Sequence, residues 1–168
     1  LETPEPGRVE LDPELVLEKT LWVIQKAVMQ ASPLGDTVSA IGIAGAAHSL
    51  LAVDTKGKPL TRCITNLDTW AVSETVWLQD EIGSDAIYSI TSQTPLEKYP
   101  VPKILWMRNH YPEIFKSTAQ FLLLKDYVIN NLTGEFTTDH TSAAQYLLYD
   151  HQIGDWSDLL LERLGFDR

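Results

Sequence analysis

Apolar residues in this sequence recur with two different periods, and their alternation along the chain narrows the fold more than any other feature. Short β-forming runs occupy residues 37–44, 50–54, 60–65 and 121–124, while helical spacing governs 13–31, 69–82, 103–109, 126–132 and the segment after Ser157. Short apolar runs suit buried strands, and i, i+3, i+4 spacing suits helices with one covered face. Strands and helices mixed in this order predict an α/β fold.

Local punctuation sharpens the boundaries. Residues 1–11 read as an extended lead-in broken by Pro4, Pro6 and Gly7. Asp12 is placed to cap a helix that Pro13 opens, and Glu14 suits the positive end of its dipole. Leu17, Leu21, Ile24 and Val28 are its expected buried stripe, to about Ala31, and residues 32–36 form a break. Residues 37–44 are expected to be a buried strand, with Gly42 and Gly45 admitting close neighbours to the backbone. The turn at 55–59 predicts a hairpin between the next two strands. Gly83 and Gly134 are expected to close helices, and Pro112 can open a short turn. Ser157 should cap the last helix, with Trp156 and Leu161 as a hydrophobic staple and Gly165 as its stop.

Length and charge exclude whole classes. A chain of 168 residues can bury roughly 70% of its unfolded surface in one domain. With 13 Lys and Arg against 23 Asp and Glu, the formal charge of −10 argues against a nucleic-acid partner, whose phosphates call for clustered cations. No apolar run approaches the ~20 residues of a bilayer span, so no membrane partner is expected. The first six residues have neither the basic start nor the apolar stretch of a secretory signal. Cytoplasm is therefore the expected compartment. The chain starts at Leu1, without methionine, in a proline-rich acidic segment, and a preceding portion is expected. The one cysteine, Cys63, can form no internal disulfide and sits in a strand-like run, so core is favoured over nucleophile.

Few residues announce chemistry. No GxxxxGK[ST] or GxGxxG loop occurs, and the pair Gly42 and Gly45 is read as close packing before a nucleotide cradle. His48 lies just past the carboxyl end of the 37–44 run, where α/β sheets gather ligands. Its imidazole could hydrogen-bond a polyol, although local pattern alone favours a loop histidine satisfied by backbone. Asp68 can accept a substrate hydroxyl or cap the helix beginning at Thr69, and capping is favoured from the residue alone. Asp139 presents the same choice. His110, His140 and His151 show no zinc-ligand spacing, so no metal site is expected. Trp22 and Trp106 fall in helical patterns as core or interface, and Trp70 could stack on a sugar face.

Several segments together resemble the N-terminal domain of the FGGY carbohydrate kinases. They are Gly7-Arg8-Val9-Glu10-Leu11-Asp12-Pro13, the stretch from Ile41 through Ala47-His48-Ser49 to Asp54, and Gly57-Lys58-Pro59-Leu60. Lys103-Ile104-Leu105-Trp106, Lys125-Asp126-Tyr127, Leu132-Thr133-Gly134-Glu135, Thr138-Asp139 and Asp155-Trp156-Ser157 continue the match in the same order. Within the family the chain looks most like gluconokinase and xylulokinase, with Ala47-His48-Ser49-Leu50 and residues 59–65 nearer to gluconokinase.

The resemblance implies part of a ribonuclease H-like, actin/Hsp70 ATPase-like N-terminal domain over residues 1–168. It implies transfer of the γ-phosphoryl group of ATP to a hydroxyl of a sugar or sugar acid such as xylulose or gluconate, with Mg²⁺ in the parent enzyme and no tight binding of either group to this chain alone. It raises His48 to a sugar contact, with Ala47 beside it. Asp68 matches the acid of a Trp-x-Asp-x-Arg pattern, and Lys98 and Tyr99 match a segment lining the sugar cleft. Where that pattern has Trp and Arg, this chain has Asn66 and Trp70, a departure that weighs against a carboxylate substrate. The family's Asp-x-Gly-Thr phosphate loop is expected upstream of Leu1, and its general-base aspartate downstream of Arg168. No catalytic residue is therefore assigned here, and the chain alone is expected to be inactive. A stand-alone sugar-binding or regulatory module is the competing expectation, and an interaction domain the third. A homodimer is an assembly that the sequence leaves open.

Overall fold

In the computed structural model, residues 1–34 and 37–167 are described, with the Leu34 side chain outside that description. The chain opens with a short strand, β1 (Glu10–Leu11), and runs into α1 (Pro13–Ala31). The Asp12 carboxylate accepts the backbone N–H groups of Glu14 and Leu15, as the Asp-Pro-Glu sequence predicts. A single 3-10 turn at Ser32–Leu34 follows. The rest of the expected break, Gly35 and Asp36, lies outside the described residues.

The central strand is β2 (Leu50–Val53), all four residues of which are fully buried. It pairs antiparallel with β3 (Cys63–Ile64) and with β4 (Gln120–Leu123), and β1 joins beyond β3, giving the order β1-β3-β2-β4. Period-two alternation then splits the side chains between two cores. Leu50 and Ala52 enter the larger one, with Leu123, Ile104 and Leu160. Leu51 and Val53 enter the other, with Cys63, Leu122, Leu124 and Tyr127. A strand covered on both faces explains the unbroken Leu-Leu-Ala-Val sequence.

The hairpin between β2 and β3 turns at residues 54–58. Asp54 Oδ1 accepts the Lys56 and Lys58 N–H groups, and Gly57 takes φ +77°. Then come α2 (Val72–Leu78), a π-turn at Gln79–Gly83, and α3 (Ser84–Thr91). Gly83, at φ +94°, joins two helical stretches instead of closing one, and α2 starts three residues later than the sequence predicts. α4 (Pro100–His110) is buried along most of its length and leads into α5 (Pro112–Ser117). After β4, α6 (Leu124–Thr133) ends at Gly134 in the left-handed conformation. Next are α7 (His140–Ala143), a 3-10 turn at Ala144–Tyr146, and the two-stranded ribbon of β5 (Tyr149–Asp150) and β6 (Asp155–Trp156). The last helix, α8 (Asp158–Leu164), carries the expected Ser157 cap and Gly165 stop.

Other sequence expectations fail here. Residues 37–44 adopt no strand and are mostly exposed, Val38 at 54% and Ile41 at 51%. Their β-forming sequence finds no pairing strand among the described residues, and without one the backbone stays irregular. The expected stripe of α1 is likewise not buried. Val16 and Leu17 pack on the second core, but Leu21 and Val28 are exposed and Trp22 is not a core residue. No described element covers the C-terminal half of α1. Gly42 has open space around it, whereas an added Cβ at Gly45 would meet Lys125 Cβ at 3.0 Å, so only Gly45 shows the expected close approach.

Candidate functional site

The loop between residue 44 and β2 carries Ala47, half-buried, and His48, whose backbone sits at φ +59°. That left-handed conformation is disfavoured for a residue with a Cβ and persists only where the surroundings enforce it. Two side chains distant in sequence bond the His48 backbone. Gln145 Oε1, on the turn after α7, accepts the His48 N–H at 3.0 Å, and Lys103 Nζ, from the first turns of α4, donates to the His48 carbonyl at 2.7 Å.

The imidazole stands edge-on to the Tyr99 ring, with centroids 4.6 Å apart and an interplanar angle of 80°. Its Nδ1 is buried and has no hydrogen-bond partner. Burial first, then the positive charges of Lys98 and Lys103, pushes the imidazole down to about 4, so the ring is neutral near pH 7. A neutral imidazole donates from one nitrogen and accepts at the other, the pairing a hydroxyl requires. Tyr99 is at the N-cap of α4 and donates its O–H to Gln93 Oε1 at 2.7 Å, and the Lys98 ammonium lies 5.4 Å from its ring centre. His48, Tyr99 and Lys98 therefore share one surface.

Asp68 sits deeper, 5% exposed, and both of its oxygens already serve backbone: Oδ2 accepts from Val9 N–H at 2.9 Å and Oδ1 from Trp70 N–H at 3.0 Å. It ties the lead-in to the turn before α2 instead of capping a helix at Thr69. Lys103 links this loop to the His48 loop, because the same ammonium donates to the Thr65 carbonyl at 2.8 Å. Burial pushes Lys103 down to about 8, while Asp68 pulls it back up. Trp70 is turned inward: its indole N–H donates to the Pro6 carbonyl, and the Arg8 guanidinium lies 4.8 Å over its ring.

Asp139 caps α7 by accepting from Ser142 N–H, and Lys125 bridges it to Asp126. Hydrogen bonds from Lys125, Thr141 and Ser142 hold the Asp139 carboxyl far below the usual carboxylate range. A cavity of about 720 Å³ lies apart from the predicted site residues, beside edge strand β4, and includes Phe115, Phe121, Phe136 and Trp156. Polar groups on its wall are engaged within the fold: Tyr146 O–H donates to the Phe121 carbonyl, and Thr138 Oγ1 to Asp126. The unpartnered nitrogen of His48 makes its loop the stronger candidate site.

Sequence reasoning missed Lys103 and Gln145 as parts of this site. Lys103 did carry a signal, since a lysine inside Val101-Pro102-Lys103-Ile104-Leu105 must either snorkel or find buried acceptors. Gln145 carried none.

The mixed helices and sheet, with a polar loop beside the central strand, define an α/β domain, and comparison with known proteins places it in a family. The model of the FGGY family of carbohydrate kinases, N-terminal domain, matches residues 1–168, and the chain belongs to that family. It is 31% identical over 164 residues to a xylulose kinase of Staphylococcus xylosus, covering 98% of this chain and 34% of that protein. It is 32% identical over 170 residues to a xylulose kinase of Escherichia coli (strain K12), covering 98% of this chain and 33% of that one. The crystal structure of gluconate kinase from Lactobacillus acidophilus superposes with a TM-score of 0.87 at 27% identity, over 99% of this chain and 33% of that one. The fold is thus that of the N-terminal domain of these sugar kinases, of the actin/Hsp70 ATPase type expected from sequence. The chain spans about a third of the length of the relatives it matches. Among the described residues, no helix is long and apolar enough to cross a membrane.

Proposed function

We propose that this chain forms the sugar-facing side of the cleft in an ATP-dependent carbohydrate kinase of the cytoplasm, acting on a sugar or sugar acid such as xylulose or gluconate. The observation that carries this reading is the buried, unpartnered Nδ1 of a neutral His48 on a loop held in a strained conformation. A buried polar atom left unsatisfied within a structured loop supports a ligand hydroxyl as its partner. Tyr99 supplies an apolar edge beside the ring, and Lys98 a nearby cation. Asp68 contributes by fixing the neighbouring loop, since its oxygens are bonded to backbone. With Trp70 turned onto Arg8, an uncharged ketose suits this surface better than a carboxylate.

ATP with Mg²⁺ is the phosphoryl donor implied by the family. Among the described residues no group of three or more His, Cys, Asp and Glu side chains is arranged to hold a metal ion, and Mg²⁺ is more often held by one or two carboxylates together with the phosphates of its nucleotide. The chain's own contribution in this reading is to bind and orient the acceptor hydroxyl. Titration calorimetry of the chain with D-xylulose, D-ribulose and D-gluconate tests it. Binding of a ketose that is lost in His48→Ala supports the reading, and a flat response to all three sugars defeats it.

A further inference from the structure

Both backbone polar groups of His48 bond side chains from elsewhere in the chain, its N–H to a residue 97 positions away and its carbonyl to one 55 away in sequence. At φ +59° His48 occupies the small left-handed region, which few residues with a Cβ enter, histidine more often than most. Lys103 is 1% exposed and Gln145 half-buried, and they belong to different elements, α4 and the 3-10 turn after α7. A fully buried ammonium is an expensive way to satisfy two carbonyls if packing alone were needed, because an apolar side chain would avoid its desolvation. Its use makes sense where the position of those carbonyls matters. One of them belongs to His48 and the other to Thr65, in the turn that Asp68 secures.

We propose that Lys103 and Gln145 are positioning residues for His48: together they clamp its carbonyl and its N–H, lock the left-handed backbone, and so present the imidazole to a ligand hydroxyl in a single orientation. This rests on the reading of His48 as the sugar contact. The clamp acts through the backbone, so neither residue needs to touch the sugar. Lys103 additionally sets the spacing between the His48 loop and the Asp68 loop, because one Nζ binds a carbonyl from each.

The test is NMR on the ¹³C,¹⁵N-labelled chain, following the His48 Cα and Cβ shifts, which report its backbone conformation, together with D-xylulose titrations. The proteins are wild type, Lys103→Met, Gln145→Leu and Gln145→Glu. Met and Leu variants are expected to move His48 out of the left-handed shift range, leave His110, His140 and His151 unmoved, and weaken xylulose binding about tenfold. Gln145→Glu keeps an acceptor at the same reach and should restore both readouts. If Lys103→Met does not fold, Gln145→Leu decides. Unchanged His48 shifts in the folded variants overturn the clamp, and moved shifts with unchanged affinity overturn its positioning role. A wild-type chain that binds no xylulose, while its variants still release His48, removes the sugar reading and leaves the clamp in place.

Discussion

The ammonium of Lys103 lies 2.7 Å from the carbonyl oxygen of His48, so a buried cation on one helix holds the strained point of a loop 55 residues earlier. The same ammonium bonds the Thr65 carbonyl. Replacing Lys103 by Met leaves both carbonyls without this donor, while relieving the desolvation of a charge. The net expected effect is a loss of about 2 kcal/mol of unfolding free energy. Urea denaturation at pH 7 measures it, and an unchanged midpoint would show that neither bond contributes.

Acid should weaken the fold through His48. Its folded midpoint, about 4, lies below the ordinary 6.5, so between these values the unfolded chain takes up a proton that the folded chain refuses. The stabilising contribution is complete above pH 6.5 and is lost as pH falls through 4. His48→Asn tolerates the left-handed backbone and does not titrate. The difference in stability between wild type and His48→Asn should therefore slope between pH 6.5 and 4 and be flat from 6.5 to 7.5. Lys103 titrates above this window, at about 8 when folded. A flat difference curve in the acid range would mean that the folded protein leaves His48 at its ordinary midpoint.

Gly57 is required twice over in the β2–β3 turn. Its φ is +77°, and an added Cβ would stand 2.2 Å from Asn130 Oδ1 on α6. Gly57→Ala should therefore cost about 2 kcal/mol, from backbone strain and displacement of the Asn130 amide. Thermal unfolding reads this out as a lowered Tm, and an unshifted Tm would contradict the close approach.

Cys63 should be inert in the folded chain. It is fully buried in β3, and burial pushes its thiol up to about 12. A thiolate-directed aromatic disulfide reagent should label it only after denaturant is added. Rapid labelling at pH 8 without denaturant would show that β3 opens readily.

Much of this fold was legible where the determinants are local. Asp12-Pro13-Glu14 marks the start of α1, Gly134 and Gly165 mark helix ends, and Ser157 caps α8, because each acts within one turn of chain. Leu50 to Asp54 read as a hairpin strand and Phe121 to Leu124 as a buried one, from short β-forming runs, and both strands form. The failures belong to features that depend on distant partners. Residues 37–44 have strand-forming side chains, yet a strand exists only when another strand pairs with it. The stripe of α1 has helical spacing, yet spacing cannot say whether anything covers it. The candidate site divides the same way. His48 could be singled out by its place after a β-forming run, whereas its support by Lys103 and Gln145 comes from elements 55 and 97 residues away, with no pattern in the sequence to join them.

The central claim is that the neutral imidazole of His48 takes a hydroxyl of a sugar. The most direct measurement is the ring ¹⁵N spectrum of the histidine-labelled chain at pH 7 as D-xylulose is added. The account predicts that the two ring nitrogens of His48 shift saturably while those of His110, His140 and His151 stay fixed. Four unmoved histidines at saturating sugar, or equal small shifts in all four, would contradict it.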